Sequence, residues 1–112
     1  MINICFAGLT GWTAPPILAA IDAADDLTLT SGVSRSAAGQ GAVYATAAEA
    51  LAAAPADVLV DFTSAAAVRV NAWTAVEAGV HVVIGTSGLT AGDYADLDRL
   101  ARDRGVGAAR RP

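Results

Sequence analysis

The sequence predicts an α/β protein built on a doubly wound parallel sheet. Three observations carry this. Short apolar runs such as Val58-Leu59-Val60 recur without an alternating polar face, which marks strands buried on both sides, as parallel strands are. Segments with helical spacing separate the runs, giving the alternation that right-handed crossovers wind into one sheet. Several runs end in glycine-bearing turns, where such sheets place their ligands.

Residues 2–7 (Ile-Asn-Ile-Cys-Phe-Ala) read as a buried first strand ending at Gly8. Gly8-Leu9-Thr10-Gly11 makes a tight turn, and Ile17, Leu18 and Ile21 then recur at helical spacing over about 14–24. Asp25-Asp26 closes that helix and opens a second strand at about 27–33. A polar loop from Ser34 to Gly41 leads to a brief strand at 42–45 and a short helix at 47–54, stopped by Pro55. A further strand runs from Val58 to about Phe62. The helix over about 65–78 takes Ser64 as its N-cap and Gly79 as its stop.

The strand at 80–84 precedes the best-signalled helix. Thr90 caps it, Asp93 stands at its third position, Leu89 can staple onto Tyr94, and Gly105 ends it. After Gly107 the pattern calls for another strand, but Ala-Ala-Arg-Arg-Pro reads as a divergent tail over 108–112. The expectation is therefore one domain over 1–107 with its sheet incomplete at the C-terminal edge. That bare edge invites self-association.

Composition narrows the function. The chain has 112 residues, 54% of them hydrophobic and 16% charged, which suits one folded domain. Alanine supplies 28 positions, so elements pack closely but bury little apolar area per residue. The net charge of −4 argues against nucleic acid. All seven basic residues are arginines, five of them from Arg99 onward. That cluster reads as a helix C-terminus and a solvated tail, with a phosphate-binding tail as the alternative. No apolar run reaches the length that spans a membrane, and no charged n-region marks a signal peptide. Cys5 is the single cysteine and reads as a small core hydrophobe. The expected setting is the cytoplasm.

Three segments carry chemistry. Gly8-Leu9-Thr10-Gly11-Trp12-Thr13-Ala14 is a G-x-x-G-x-x-A variant of the dinucleotide fingerprint of Rossmann-like domains. Its two glycines let backbone approach a pyrophosphate, and the helix beyond adds partial positive charge. Pro15-Pro16 intrude on that helix start and leave open which amides reach the phosphate. After the second strand, Val33-Ser34-Arg35-Ser36 has no carboxylate for a ribose. Ser34 with Arg35 suits a 2′-phosphate instead, so NADPH is the expected dinucleotide and NADH the alternative. Asp61-Phe62-Thr63-Ser64 and Gly85-Thr86-Ser87-Gly88 end strands at the same edge, where small residues and hydroxyls, Thr86 among them, can line the nicotinamide ribose and ring. No residue reads as a metal ligand. His81 begins a strand and reads as structural. Trp73 reads as an ordinary half-buried tryptophan, or as a contact for a further domain.

The stretches 57–64 and 79–89, together with the glycine turn, resemble the N-terminal domain of the dihydrodipicolinate reductase (4-hydroxy-tetrahydrodipicolinate reductase) family. That family belongs to the diaminopimelate route to lysine. The resemblance runs to about Gly107. It implies a reductase that passes hydride from NADPH to a cyclic unsaturated diacid. It places Gly8 and Gly11 on the pyrophosphate, Arg35 on the adenosine phosphate, and Phe62, Thr63, Gly85 and Ser87 around the nicotinamide. Departures are Ala14, where a third glycine is usual, and Trp12-Thr13 in place of an arginine–methionine pair. The family's substrate half, with its catalytic lysine, has no counterpart among these residues, so the chain alone is expected to be inactive and to carry no catalytic residue. A stand-alone nucleotide-binding module and the cofactor domain of a Gfo/Idh-type dehydrogenase are the other readings.

Overall fold

The computed structural model describes residues 1–9, 11, 13–36 and 38–110. Among the described residues six strands form one sheet: β1 (Ile2–Ala7), β2 (Leu27–Val33), β3 (Val43–Tyr44), β4 (Val58–Asp61), β5 (His81–Ile84) and β6 (Ala108–Arg110). Every pairing is parallel, and the spatial order is β3-β2-β1-β4-β5-β6. The order reverses between β1 and β4, which is the switch point where doubly wound sheets take their ligands. Four helices connect the strands: α1 (Ala14–Ala23), α2 (Ala47–Ala53), α3 (Val68–Glu77) and α4 (Ala91–Arg104).

Strand alternation divides the core into two. Ile4 and Phe6 of β1 face α1 and pack with Ala14 and Ile21. Cys5, Ala7, Leu59, Val82 and Ile84 face the other way, against Ala50 of α2, Val68, Ala72 and Val76 of α3, and Leu97 and Ala101 of α4. Many contact positions on the helices are alanines, so backbones come close, as the composition implied. Cys5 lies fully within this layer, and burial pushes its thiol up.

The expected element order holds, with shifts at the boundaries. β3 shrinks to two residues. α3 begins at Val68, later than expected, and Ser64 caps the turn that leads into it: its hydroxyl accepts the Ala67 amide at 3.3 Å, and its carbonyl the amides of Ala67 and Val68 at 3.1 and 3.0 Å. Trp73 is half-buried against the larger core, with the Arg69 guanidinium 4.2 Å above its ring. Arg69 continues to Asp93 in an ion pair, so one side chain joins α3 to α4.

The expected absence of a final strand is corrected. Ala108, Ala109 and Arg110 pair with Val82, Val83 and Ile84, and Arg111 and Pro112 lie outside the described residues. Strand addition is decided by main-chain hydrogen bonds, which short and charged side chains do not prevent. Val82 donates its amide to the Gly107 carbonyl at 3.0 Å, and Gly107 donates to Nδ1 of His81 at 2.8 Å. His81 thus serves the β5–β6 junction. Arg110 lies 4.2 Å over the Tyr94 ring and covers it. The sheet edge on this side is therefore β6, not β5.

The capping box of α4 is complete. The Thr90 hydroxyl accepts the Asp93 amide at 3.1 Å, and the Asp93 carboxylate accepts the Thr90 amide at 3.0 Å. The Thr90 amide foremost, then the Thr90 hydroxyl and Arg69, hold Asp93 below the ordinary aspartate value. A depressed native value adds stability that is present above the unfolded value and lost as pH falls through the native one. Thr90→Ala is expected to cost about 1 kcal/mol. The melting-temperature gap between wild type and Asp93→Asn should be present near neutrality and close below about pH 4. A gap that persists unchanged into acid contradicts the ionic role of Asp93.

Candidate functional site

The C-terminal ends of β1, β2, β4 and β5 meet at one edge of the sheet. Gly8 leaves β1 with φ +99°, a conformation that favours glycine, and a Cβ on it would overlap the Phe62 carbonyl. A Cβ on Gly11 would sit 3.2 Å from the Gly8 carbonyl oxygen. The two glycines therefore press the turn against the end of β4. Their own amides are occupied within the fold. Gly8 and Leu9 donate to the Val33 carbonyl at 3.1 and 3.4 Å, and Gly11 donates to the Gly8 carbonyl at 3.0 Å.

The start of α1 is poor in free donors. Ala14 donates to the Gly11 carbonyl at 3.2 Å, and Pro15 and Pro16 have no N–H to give. Thr13 is the exposed N-cap and makes no side-chain cap bond. The prolines reduce the amides that a helix N-terminus offers an anion, while its aligned peptide dipoles remain. Trp12 and Thr10 lie outside the described residues.

The bonds to Val33 set the turn after β2 beside the glycine turn. Ser34 is buried, donates its amide to the Tyr44 carbonyl at 2.9 Å, and has its hydroxyl 3.2 Å from that of Ser36. Arg35, between them, is exposed at this edge. The sequence placed both residues at the site, and only Arg35 is presented to solvent there.

The ends of β4 and β5 complete the edge. Phe62 donates its amide to the Ala7 carbonyl at 2.9 Å, and Gly85 donates to the Asp61 carbonyl at 2.8 Å. The Phe62 ring stacks on Phe6 with centroids 6.0 Å apart and planes 5° from parallel. A Cβ on Gly85 would overlap that ring, so β5 approaches it only through glycine. Thr63 and Thr86 are half-buried, and Ser87 is exposed. A cleft of about 390 Å³ opens beside Gly85–Leu89, walled by Ile84, Tyr94 and Arg110.

Asp61 is the residue that sequence reasoning missed as a site residue. It is fully buried and accepts the Thr63 amide at 3.1 Å, the Thr63 hydroxyl at 2.9 Å, the Asn71 side-chain amide at 2.9 Å and the Thr86 hydroxyl at 2.7 Å. The signal was present: strand alternation puts Asp61 on the same buried face as Leu59, and a buried carboxylate needs donors. The edge therefore comprises two glycine-dependent close approaches, an exposed arginine and a cluster of hydroxyls. It fits an anionic ligand lying across the strand ends through the exposed Arg35 guanidinium and the α1 dipole, while the missing side chains at Gly8 and Gly85 let these ends close on Phe62.

Comparison with known proteins decides the ancestry of this arrangement. The family described as dihydrodipicolinate reductase, N-terminus, matches residues 2–110. The chain belongs to that family. It is 34% identical over 107 residues to the 4-hydroxy-tetrahydrodipicolinate reductase of Coxiella burnetii, covering 96% of this chain and 41% of that one. The dipicolinate-bound dihydrodipicolinate reductase of Paenisporosarcina sp. TG-14 shares its fold with a TM-score of 0.89 at 18% identity, covering all of this chain and 47% of that one. A homoserine dehydrogenase from S. aureus also has this fold, with a TM-score of 0.82 at 18% identity. The chain thus spans less than half the length of these relatives. Family membership makes it a pyridine-nucleotide-binding domain.

The glycine contacts can be tested on folding alone. Gly8→Ala meets backbone at a left-handed φ and is expected to lower stability by more than about 2 kcal/mol. Gly85→Ala meets a side chain, so its loss should be partly recovered by adding Phe62→Leu. Chemical denaturation measures both. Recovery in neither direction, or a stable Gly8→Ala chain, contradicts the packing described.

Proposed function

We propose that this chain is the NAD(P)H-binding part of a 4-hydroxy-tetrahydrodipicolinate reductase. In the complete enzyme it holds NADPH for reduction of a cyclic unsaturated diacid, in the diaminopimelate route to lysine in the cytoplasm. The observation that supports this best is convergence: the glycine turn, the Arg35 turn and the two hydroxyl-bearing turns share one sheet edge within a family-wide match.

The bound dinucleotide would supply a hydride; the chain's contribution is to hold it. Gly8 and Gly11 let the pyrophosphate-binding turn close tightly against β4, and the α1 dipole favours the pyrophosphate's charge. Arg35 answers a 2′-phosphate with a planar, permanently charged guanidinium. Phe62, Thr63, Gly85, Thr86 and Ser87 border the nicotinamide, with Trp12 and Thr13 beside the pyrophosphate and Ser34 shaping the Arg35 turn. His81 starts β5 at the far end of the strand from this edge, so it is not a proton donor for the reaction.

Calorimetric titration of the purified chain checks this. NADPH should bind saturably, Gly11→Asp should abolish binding, and Arg35→Ala should weaken NADPH by about ten-fold or more while leaving NADH unchanged. NADH binding as tightly as NADPH, with no effect of Arg35→Ala, rules out the assigned preference. A folded chain that binds neither rules out the cofactor reading.

A further inference from the structure

The Asp61 cluster has a consequence beyond packing. The two carboxylate oxygens of a buried aspartate offer about four lone-pair positions, and four donor groups occupy them here: the Thr63 amide and hydroxyl, the Asn71 side-chain amide and the Thr86 hydroxyl. Thr63 belongs to the turn after β4, Thr86 to the turn after β5, and Asn71 to α3. One carboxylate therefore ties both nicotinamide-side turns to each other and to a helix behind them.

The threonine hydroxyls have one proton each, and both are directed to Asp61. Neither hydroxyl can donate to a ligand without leaving an acceptor on Asp61 unfilled in a site with no exposure. Their contribution at this edge is to fix where the backbone of residues 62–64 and 85–87 stands. Arg35 lies in the turn after β2 and shares none of these bonds; the glycine turn stands between, against the Phe62 and Thr63 backbone.

We propose that Asp61 is a positioning residue for the nicotinamide end of the site, acting through Thr63 and Thr86, and that it does not affect the adenosine end. This rests on the cofactor reading above. Its signature is a split between ligands. Adenosine 2′,5′-bisphosphate carries only the adenosine end, whereas NADPH needs both.

Calorimetry on the wild-type chain and its variants, with both ligands, tests the split. Asp61→Asn and Thr86→Val are each expected to weaken NADPH by about ten-fold, and to leave adenosine 2′,5′-bisphosphate within about two-fold of wild type. Thr86→Ser, which keeps the hydroxyl, should bind NADPH like wild type. Because Thr86 acts through Asp61, the double variant should be no more than about two-fold weaker than the weaker single variant. If Asp61→Asn fails to fold, the same cycle is run between Thr63→Val and Thr86→Val, which share the carboxylate. Equal loss of both ligands, full additivity, or NADPH binding unaffected by these changes overturns the positioning role. A folded wild-type chain that binds adenosine 2′,5′-bisphosphate and NADPH normally leaves the cofactor reading standing in each of those cases. Binding of neither ligand by wild type overturns that reading and the positioning role together.

Discussion

The end of β4 runs between two neighbours that can approach it only because they lack a side chain. Gly8 meets the Phe62 carbonyl on one side, and Gly85 meets the Phe62 ring on the other. Those two contacts set the spacing of β1, β4 and β5 at the switch point of the sheet. The stacking of Phe62 on Phe6 fills the layer beneath α1, so the same ring that limits Gly85 also anchors the smaller core. The geometry of the site is thus inherited from close packing, where a single added carbon must displace backbone or aromatic atoms.

Asp61 is the polar counterpart of that packing. Burying a carboxylate is costly unless its oxygens are filled, and here donors from two turns and a helix fill them. The cost of burial makes the arrangement specific: moving either turn away leaves an unfilled acceptor in the interior. At the turn after β2 the logic differs. That turn is held by main-chain bonds, with Ser34 buried and Arg35 exposed, so it can tolerate variation at its tip.

The fold class and nearly every element could be read from the residues because the signals were local. Thr90, Asp93 and Gly105 define α4 by capping chemistry, and the structure reproduces each contact. The strand at Val58-Leu59-Val60 follows from its unbroken apolar run, and Leu59 at its centre is fully buried. What the sequence concealed was decided at longer range. The β6 strand depends on main-chain pairing with β5, to which the Ala-Ala-Arg side chains give no clue. The occupation of the Gly8, Leu9 and Gly11 amides by internal carbonyls was likewise hidden, because a glycine motif specifies conformational freedom and not the direction of each N–H. Asp61 stands within a legible motif, but its role appears only once Asn71 and Thr86, 10 and 25 residues away, are brought to it.

The central claim is that the turns after β1, β2, β4 and β5 form one dinucleotide site along a single sheet edge. Amide chemical-shift mapping of the isotope-labelled chain, titrated with NADPH, tests it most directly. The account predicts perturbations at Gly8 to Thr13, at Ser34 and Arg35, at Phe62 and Thr63, and at Gly85 to Ser87. The opposite edge, at Asp26, Asp57, Gly79 and Gly107, should stay still. Shifts confined to one of the turns, or centred on that opposite edge, would contradict a shared site.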